Sequence, residues 1–362
     1  MLFFRVFYTP FILCLLLSGC DREPVKGNPS AGRIQTAASQ TDGSADGSAD
    51  GSADGSADGS ADGCADGSAD GCADGSADGC ADGSADGSAD GCVWVVDSTL
   101  NGRLYLCGTI HILREQDYPL APGYEAAYRG SDKLLLELPP VKGSGPELSM
   151  KMSQLGTFSS DTSLEAHVGA HAWKAVQTWA LRRGLDPSSM KRFRPWFVSL
   201  LITSKEYALL GATPELGVDK HFSARAESDG KPGEGLETDD FQLQMFTSLT
   251  NEQQRELLDQ TLAELSTVPD EYEKMILAWK KGDLPALHAM LFREAEKHPD
   301  LMNLFLTNRN RVWIEKLDAM LRRGEKVMVL VGAGHLTGDA GLIELLKKRG
   351  HQVRHYREVK HF

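Results

Sequence analysis

The sequence predicts an α/β domain: a central mixed or largely parallel sheet with a helical insertion. Three observations predict it. Two apolar runs far apart in the chain, Leu104-Tyr105-Leu106-Cys107 and Val327-Met328-Val329-Leu330-Val331, read as buried strands. A third, Lys133-Leu134-Leu135-Leu136, ends in Glu137. Between the third run and the last lies a long stretch of helical periodicity, an insertion over about 147–300.

The elements follow in chain order. Val93-Trp94-Val95-Val96 and Gly102 to Cys107 form a strand pair, with Ser98 to Gly102 as the turn, because Asn101-Gly102 is a hairpin signal. A loop with Pro119 and Pro122 leads to a short helix, Tyr124 to Arg129, stopped by Gly130. The Leu134–Glu137 strand comes next and is expected to lie parallel to, and beside, the Gly102–Cys107 strand. In the insertion, Leu164, Val168, Trp173, Val176, Trp179 and Ala180 share one helical face that ends near Gly184. Asp186-Pro187 starts another element and Pro195 opens a third. Thr250 and Gln253 form a capping box, and Asp283 begins a further helix. A helix over Asn303–Leu321 closes at Gly324, ahead of the Val327–Val331 strand. A helix from Leu342 to Lys348, stopped by Gly350, and a strand from Val353 to Tyr356 complete the chain.

The N-terminal third reads differently. Arg5, the apolar run Phe11 to Leu17 and Leu17-Ser18-Gly19-Cys20 resemble a bacterial lipoprotein signal over 1–19, with lipid on Cys20 as the membrane partner. That places the protein in the cell envelope facing the periplasm, and Asp21 suggests the inner membrane. Residues 20–41 carry no core-forming pattern. From Asp42 a four-residue unit, Asp-Gly-Ser-Ala, repeats to the end of a linker over 42–92. Lacking large apolar side chains, it cannot offset its ordering entropy and reads as an acidic tether. The whole chain carries 38 Lys and Arg against 51 Asp and Glu, a net charge of −13. The 13 Asp of the repeat equal that charge, so the rest of the chain sums to zero and 93–362 has no net positive field to attract nucleic acid. Cys64, Cys72, Cys80 and Cys92 occupy the Ser slot of the repeat and lack zinc-finger spacing. On this reading Cys107 is the globular part's one cysteine.

Candidate chemistry sits at the strand ends. Both long runs pass into Gly-x-x-His: Gly108-Thr109-Ile110-His111 and Gly332-Ala333-Gly334-His335. Ligands of α/β sheets bind beyond the carboxyl ends of the strands, where a glycine supplies either φ > 0 or a backbone without Cβ. His111 and His335 are therefore expected to share a pocket with Glu137, as metal ligands or as acid/base groups. An apolar sheet beside Glu137 would raise its pKa. Further candidates are Asp219, which also fits a first-turn helix position, and Glu237, which also fits a cap. Arg309 is a candidate for stabilising an oxyanion, and Asn310 stands beside it. His167, His171, His288 and His298 lack such a setting and read as surface residues.

These segments, with Arg194-Pro195-Trp196, Gly217-Val218-Asp219, Leu236-Glu237-Thr238, Asn308-Arg309-Asn310 and Val331 to Leu336, resemble the TraB/GumN family, related to the Tiki proteases. The resemblance covers nearly all of 93–362. It implies a fold similar to erythromycin esterase and to a ChaN-type haem-binding lipoprotein. For the Tiki branch it implies a peptidase that uses a divalent manganese- or cobalt-like ion, with His111, Glu137 and His335 at the matching positions; zinc meets the same donor set. The esterase relatives imply a metal-free alternative, and a non-catalytic binder of haem or another small ligand is the third. The substrate, peptide or small molecule, is not legible.

Overall fold

The computed structural model describes residues 91–140, 145–159, 161–292 and 298–357. The signal-like segment, Cys20 and the repeat up to residue 90 lie outside them. Six strands form one sheet: β1 (Val93–Asp97), β2 (Arg103–Thr109), β3 (Lys133–Leu136), β4 (Gly233–Gly235), β5 (Lys326–Gly332) and β6 (Gln352–His355), in the order β4-β3-β5-β2-β1-β6. The β4-β3-β5-β2 neighbours are parallel, and β1 is antiparallel to both β2 and β6. The sheet is thus mixed and mostly parallel.

β5 is the axis of the fold. Val327 to Gly332 are buried throughout, as a parallel strand covered on both faces requires. Each of its large apolar side chains contributes on the order of 1.5–3 kcal/mol by burial. β5 pairs with β2 from Arg103↔Lys326 to Thr109↔Gly332 and with β3 up to Leu136↔Leu330. The expected adjacency of β2 and β3 is therefore corrected: they are parallel, but β5 lies between them. Short loops favour pairing of successive strands. Here the chain crosses the whole helical insertion and returns to the middle of the sheet. The consequence is that β2, β5 and β3, in that spatial order, present His111, His335 and Glu137 from three neighbouring carboxyl ends.

β4 was not legible in the sequence. Gly233-Glu234-Gly235 has no apolar or β-branched residue. Its glycines answer to packing, since a Cβ on Gly233 would collide with Pro140 and one on Gly235 with Pro139. Pairing continues past the strand: Leu236 N–H donates to Leu136 O (2.8 Å) and Glu237 N–H to Glu137 O (2.9 Å). That register draws Glu237 alongside Glu137.

The insertion builds its own packing. Leu164–Arg182 is a helix with Gly184 in left-handed conformation just beyond it. It packs through Trp173, Val176 and Trp179 on Val198, Ile202 and Leu258. The capping box at Thr250 opens the Asn251–Ala263 helix. The expected helix over 303–321 comes in two parts, a π turn at Asn303–Thr307 and an α-helix at Asn308–Arg322. Such turns are frequent at functional sites, and this one ends two residues before Arg309. Cys92 also departs from expectation. It matches the repeat in phase, yet it is fully buried against Gly108, whose N–H donates to Cys92 O (2.8 Å). Cys92 and Cys107 are both buried free thiols, held in the protonated form by burial.

Candidate active site at the carboxyl ends of three strands

His111, Glu137 and His335 meet in one buried spot. Glu137 Oε1 lies 4.0 Å from His111 Nε2 and 3.9 Å from His335 Nε2. All three side chains are at most 6 % exposed. Gly332 explains how the space between them stays open. A Cβ there would lie 3.2 Å from Glu137 Oε1, 3.5 Å from His111 Nε2 and 3.8 Å from His335 Cδ2. Neither Gly108 nor Gly332 has a positive φ. The two motif glycines therefore serve close approach rather than an unusual turn: Gly108 admits Cys92 and Gly332 admits the site.

Each imidazole is anchored at Nδ1. His111 Nδ1 lies 2.7 Å from Asp219 Oδ1. Asp219 sits in the first turn of the Val218–Asp229 helix, and Val218 N–H donates to Ile110 O (3.1 Å), which fixes that helix end against the His111 loop. A Cβ on Gly217 would collide with His111 O, so glycine permits the approach. His335 Nδ1 lies 2.6 Å from Asn310 Oδ1. Asn310 Nδ2 donates to His335 O (3.3 Å) and Ala340 O (2.8 Å), which leaves its oxygen to accept. Arg309 Nη1–H donates to His335 Nε2 (3.1 Å). Arginine has no acceptor, so His335 carries its proton on Nδ1 and its lone pair on Nε2.

Arg309 binds the site together. It donates from Nη2 to Glu137 Oε2 (2.6 Å) and Glu237 Oε2 (2.8 Å), from Nε to Glu237 Oε1 (2.8 Å), and from Nη1 to Phe305 O (3.1 Å). With His335, this engages every N–H of the guanidinium. In this arrangement every Arg309 donor is taken within the protein, and the residue is the counter-ion of two buried carboxylates. Glu237 is not a cap, since Thr238 accepts Phe241 N–H and caps the Asp239–Thr247 helix. Gln242, which the sequence did not single out, reaches both carboxylates: Nε2 lies 3.4 Å from Glu137 Oε2 and 3.2 Å from Glu237 Oε2.

The charges follow. Burial alone would push the Glu137 carboxyl up, but Arg309, the two histidines and the Gly332 N–H (2.7 Å) hold it down at about 2. The expected upward shift is thus reversed, because a guanidinium in contact outweighs the apolar sheet. Burial and then Arg309 push His335 down to about 3, so it is neutral at ordinary pH. Burial pulls His111 down as well, but Asp219 outweighs it and raises the pKa. Both depressed groups bind a proton more readily in the unfolded chain. The Glu137 contribution to stability is full above its ordinary 4.5 and is lost as pH falls toward 2. The His335 contribution is full above its ordinary 6.5 and is lost toward 3. His111 works the opposite way and loses its contribution as pH rises through its raised pKa. Thermal melts at constant ionic strength should therefore show the midpoint falling steadily from pH 6.5 to pH 3; a flat profile over that range would contradict the assignment.

Of the remaining histidines, His171 and His298 are exposed. His167 is half-buried on Phe158. His288 is half-buried too, its Nδ1 3.0 Å from Thr337 Oγ1, and it packs on the loop that follows His335.

A model of the TraB/PrgY/gumN family matches residues 92–355, which takes in every strand of the sheet and every residue of the site. The chain belongs to the TraB/PrgY/gumN family. Among curated proteins it is similar to Metalloprotease TIKI1 of Danio rerio, 24% identical over 194 residues, covering 46% of this chain and 39% of the relative. It is similar also to Metalloprotease TIKI1 of Homo sapiens, 23% identical over 194 residues, covering 46% and 38%. The aligned part is about two fifths of the length of these relatives. No solved structure matches the chain.

A divalent ion can be tested against the donors present. Around one ion, donors at 2.0–2.2 Å stand roughly 3–3.5 Å apart. The pairs here are 4.0 and 3.9 Å apart, and among the described residues no three His, Cys, Asp or Glu side chains are already gathered closely enough to hold an ion. The donor chemistry fits nonetheless. Asp219 and Asn310 each hold an Nδ1 so that Nε2 faces inward, as the outer hydrogen-bond partners of metal-binding histidines do. Glu137 is ionised, and Gly332 keeps clear the cradle that a Cβ would fill. Closing it requires an inward shift of about half an ångström and withdrawal of Arg309 Nη1 from His335 Nε2.

Proposed function

We propose that this chain is a hydrolase of the cell envelope that activates water at His111, Glu137 and His335 with the help of a divalent ion, acting on peptides. The observation that carries the reading is the convergence of these three groups from neighbouring strands, with both Nδ1 atoms held by Asp219 and Asn310. The names of the TIKI1 relatives support a metal-dependent peptidase. His111 Nε2, Glu137 Oε1 and His335 Nε2 would hold the ion, manganese- or cobalt-like or zinc. When bound it supplies Lewis acidity, lowering the pKa of a water for attack on a carbonyl. The chain's own residues do the rest. Asp219 and Asn310 hold the Nδ1 side of each imidazole and so turn Nε2 inward. Arg309 and the Gly332 N–H keep Glu137 ionised, and Glu237 neutralises Arg309. The fold reading extends to the erythromycin esterase and ChaN arrangement, and the membrane attachment to lipid on Cys20. Among the described residues no helix is long and apolar enough to cross a membrane.

One observation favours a metal-free hydrolase as the second reading. Arg309 already occupies the His335 lone pair and Glu137 Oε2, which is a self-contained acid/base network. The two readings separate in one assay. The full chain is incubated with a mixed peptide substrate, and new amino termini are counted before and after chelation and after adding back manganese, cobalt or zinc. Metal-assisted hydrolysis predicts loss on chelation, recovery with one of the ions and no activity in His111→Ala. Activity that survives chelation assigns the metal-free network, and no cleavage by the metal-loaded wild type sinks the peptidase reading.

A further inference from the structure

Trp313 belongs to none of the motifs, and its apolar helical position reads as core. It is 1 % exposed. It stands four residues after Arg309 and three after Asn310 on the Asn308–Arg322 helix, so the three side chains leave one face. Its indole does more than fill space. Nε1–H donates to Glu237 Oε1 (3.0 Å). The Arg309 guanidinium carbon lies 4.7 Å from its ring centroid. The His335 ring lies 4.3 Å away, tilted by 35°.

We infer that Trp313 is a positioning residue that locks Glu237, Arg309 and His335 to one another. The physical need is clear at His335. The hydrogen bonds at Nδ1 to Asn310 and at Nε2 from Arg309 both lie near the ring plane and leave the imidazole free to pivot about the line that joins them. A flat surface against its face removes the pivot and sets the direction of the Nε2 lone pair. At Arg309, Glu237 supplies both oxygens to the guanidinium, and Trp313 holds one of those oxygens from the other side. The indole thus couples the counter-ion of Glu137 to the orientation of His335. The inference rests on the hydrolase reading for its kinetic test but not for its spectroscopic one.

The variants are Trp313→Phe, which keeps a ring face and loses the N–H, and Trp313→Leu, which loses both. A matched control exists in the helical insertion. Trp179 is also buried, and its Nε1–H also donates to a buried carboxylate, Glu206 (2.7 Å), which pairs with Arg183. Trp179→Phe removes the same kind of bond away from the site. We expect kcat on peptide to fall about ten-fold in Trp313→Phe and about a hundred-fold in Trp313→Leu, with KM within two-fold of wild type. Trp179→Phe should show a comparable loss of thermal stability and no loss of kcat. Independently of turnover, the imidazole ¹⁵N resonances of His335, assigned with His335→Ala, should move in Trp313→Leu, less in Trp313→Phe, and not in Trp179→Phe. Should wild type hydrolyse nothing, the hydrolase reading fails and the resonances still decide about Trp313. Wild-type kcat, or unmoved His335 resonances, in both Trp313 variants would overturn the inference.

Discussion

Replacing Arg309 by methionine should cost about 3–5 kcal/mol of stability, the range for breaking a buried ion pair. The guanidinium is 4 % exposed and sits between Glu137 (3 %) and Glu237 (6 %). Methionine fills much of the volume but leaves two carboxylates buried without a counter-ion. At roughly 2–4 °C per kcal/mol for a domain of this size, the thermal midpoint should drop by about 10 °C. Removing one stranded charge should return part of the loss, so Arg309→Met with Glu237→Gln should be more stable than Arg309→Met alone. Chemical denaturation of the three proteins measures this. A single variant within about 1 kcal/mol of wild type would show that the carboxylates are solvated or protonated and that the network is misassigned.

Glu137→Gln should have the largest effect on activity, a loss of at least about a thousand-fold in kcat. The carboxylate receives Gly332 N–H on one oxygen and Arg309 on the other. An amide offers only one acceptor to these two donors, so its NH2 must face either Gly332 N–H or Arg309. The negative charge between the two imidazoles disappears with it. The variant should also lose about 1–3 kcal/mol of stability through the opposed donors. Activity should therefore be measured at a temperature where the melt shows it folded. Residual activity within ten-fold of wild type would remove Glu137 from the chemistry.

How much of this was legible in the sequence differs from residue to residue. The Gly-x-x-His segments declared themselves because each followed an apolar run that had to be a buried strand. Glu137 stood out for the same reason. The helix ends were legible where chemistry acts locally, as at Thr250 and Gly184. What depended on the return of a distant segment was not. The place of β5 between β2 and β3 is set by a strand that arrives only after the insertion. The low pKa of Glu137 comes from Arg309, 172 positions away. β4 lacked side chains that signal a strand, and the burial of Cys92 was masked by the phase of the repeat. Gln242 and Trp313 gave no signal because a polar or aromatic residue on a helix reads as surface or core until its neighbours are known.

The most direct test is the metal content of the full chain, purified without a histidine tag and compared with Gly332→Ala and His335→Ala. If His111, Glu137 and His335 act together on one ion, wild type should carry about one divalent ion per chain. Both variants should carry almost none, Gly332→Ala because its methyl group fills the cradle while every donor remains. Equally negligible metal in all three, with peptide hydrolysis intact in wild type, would contradict the metal-assisted account.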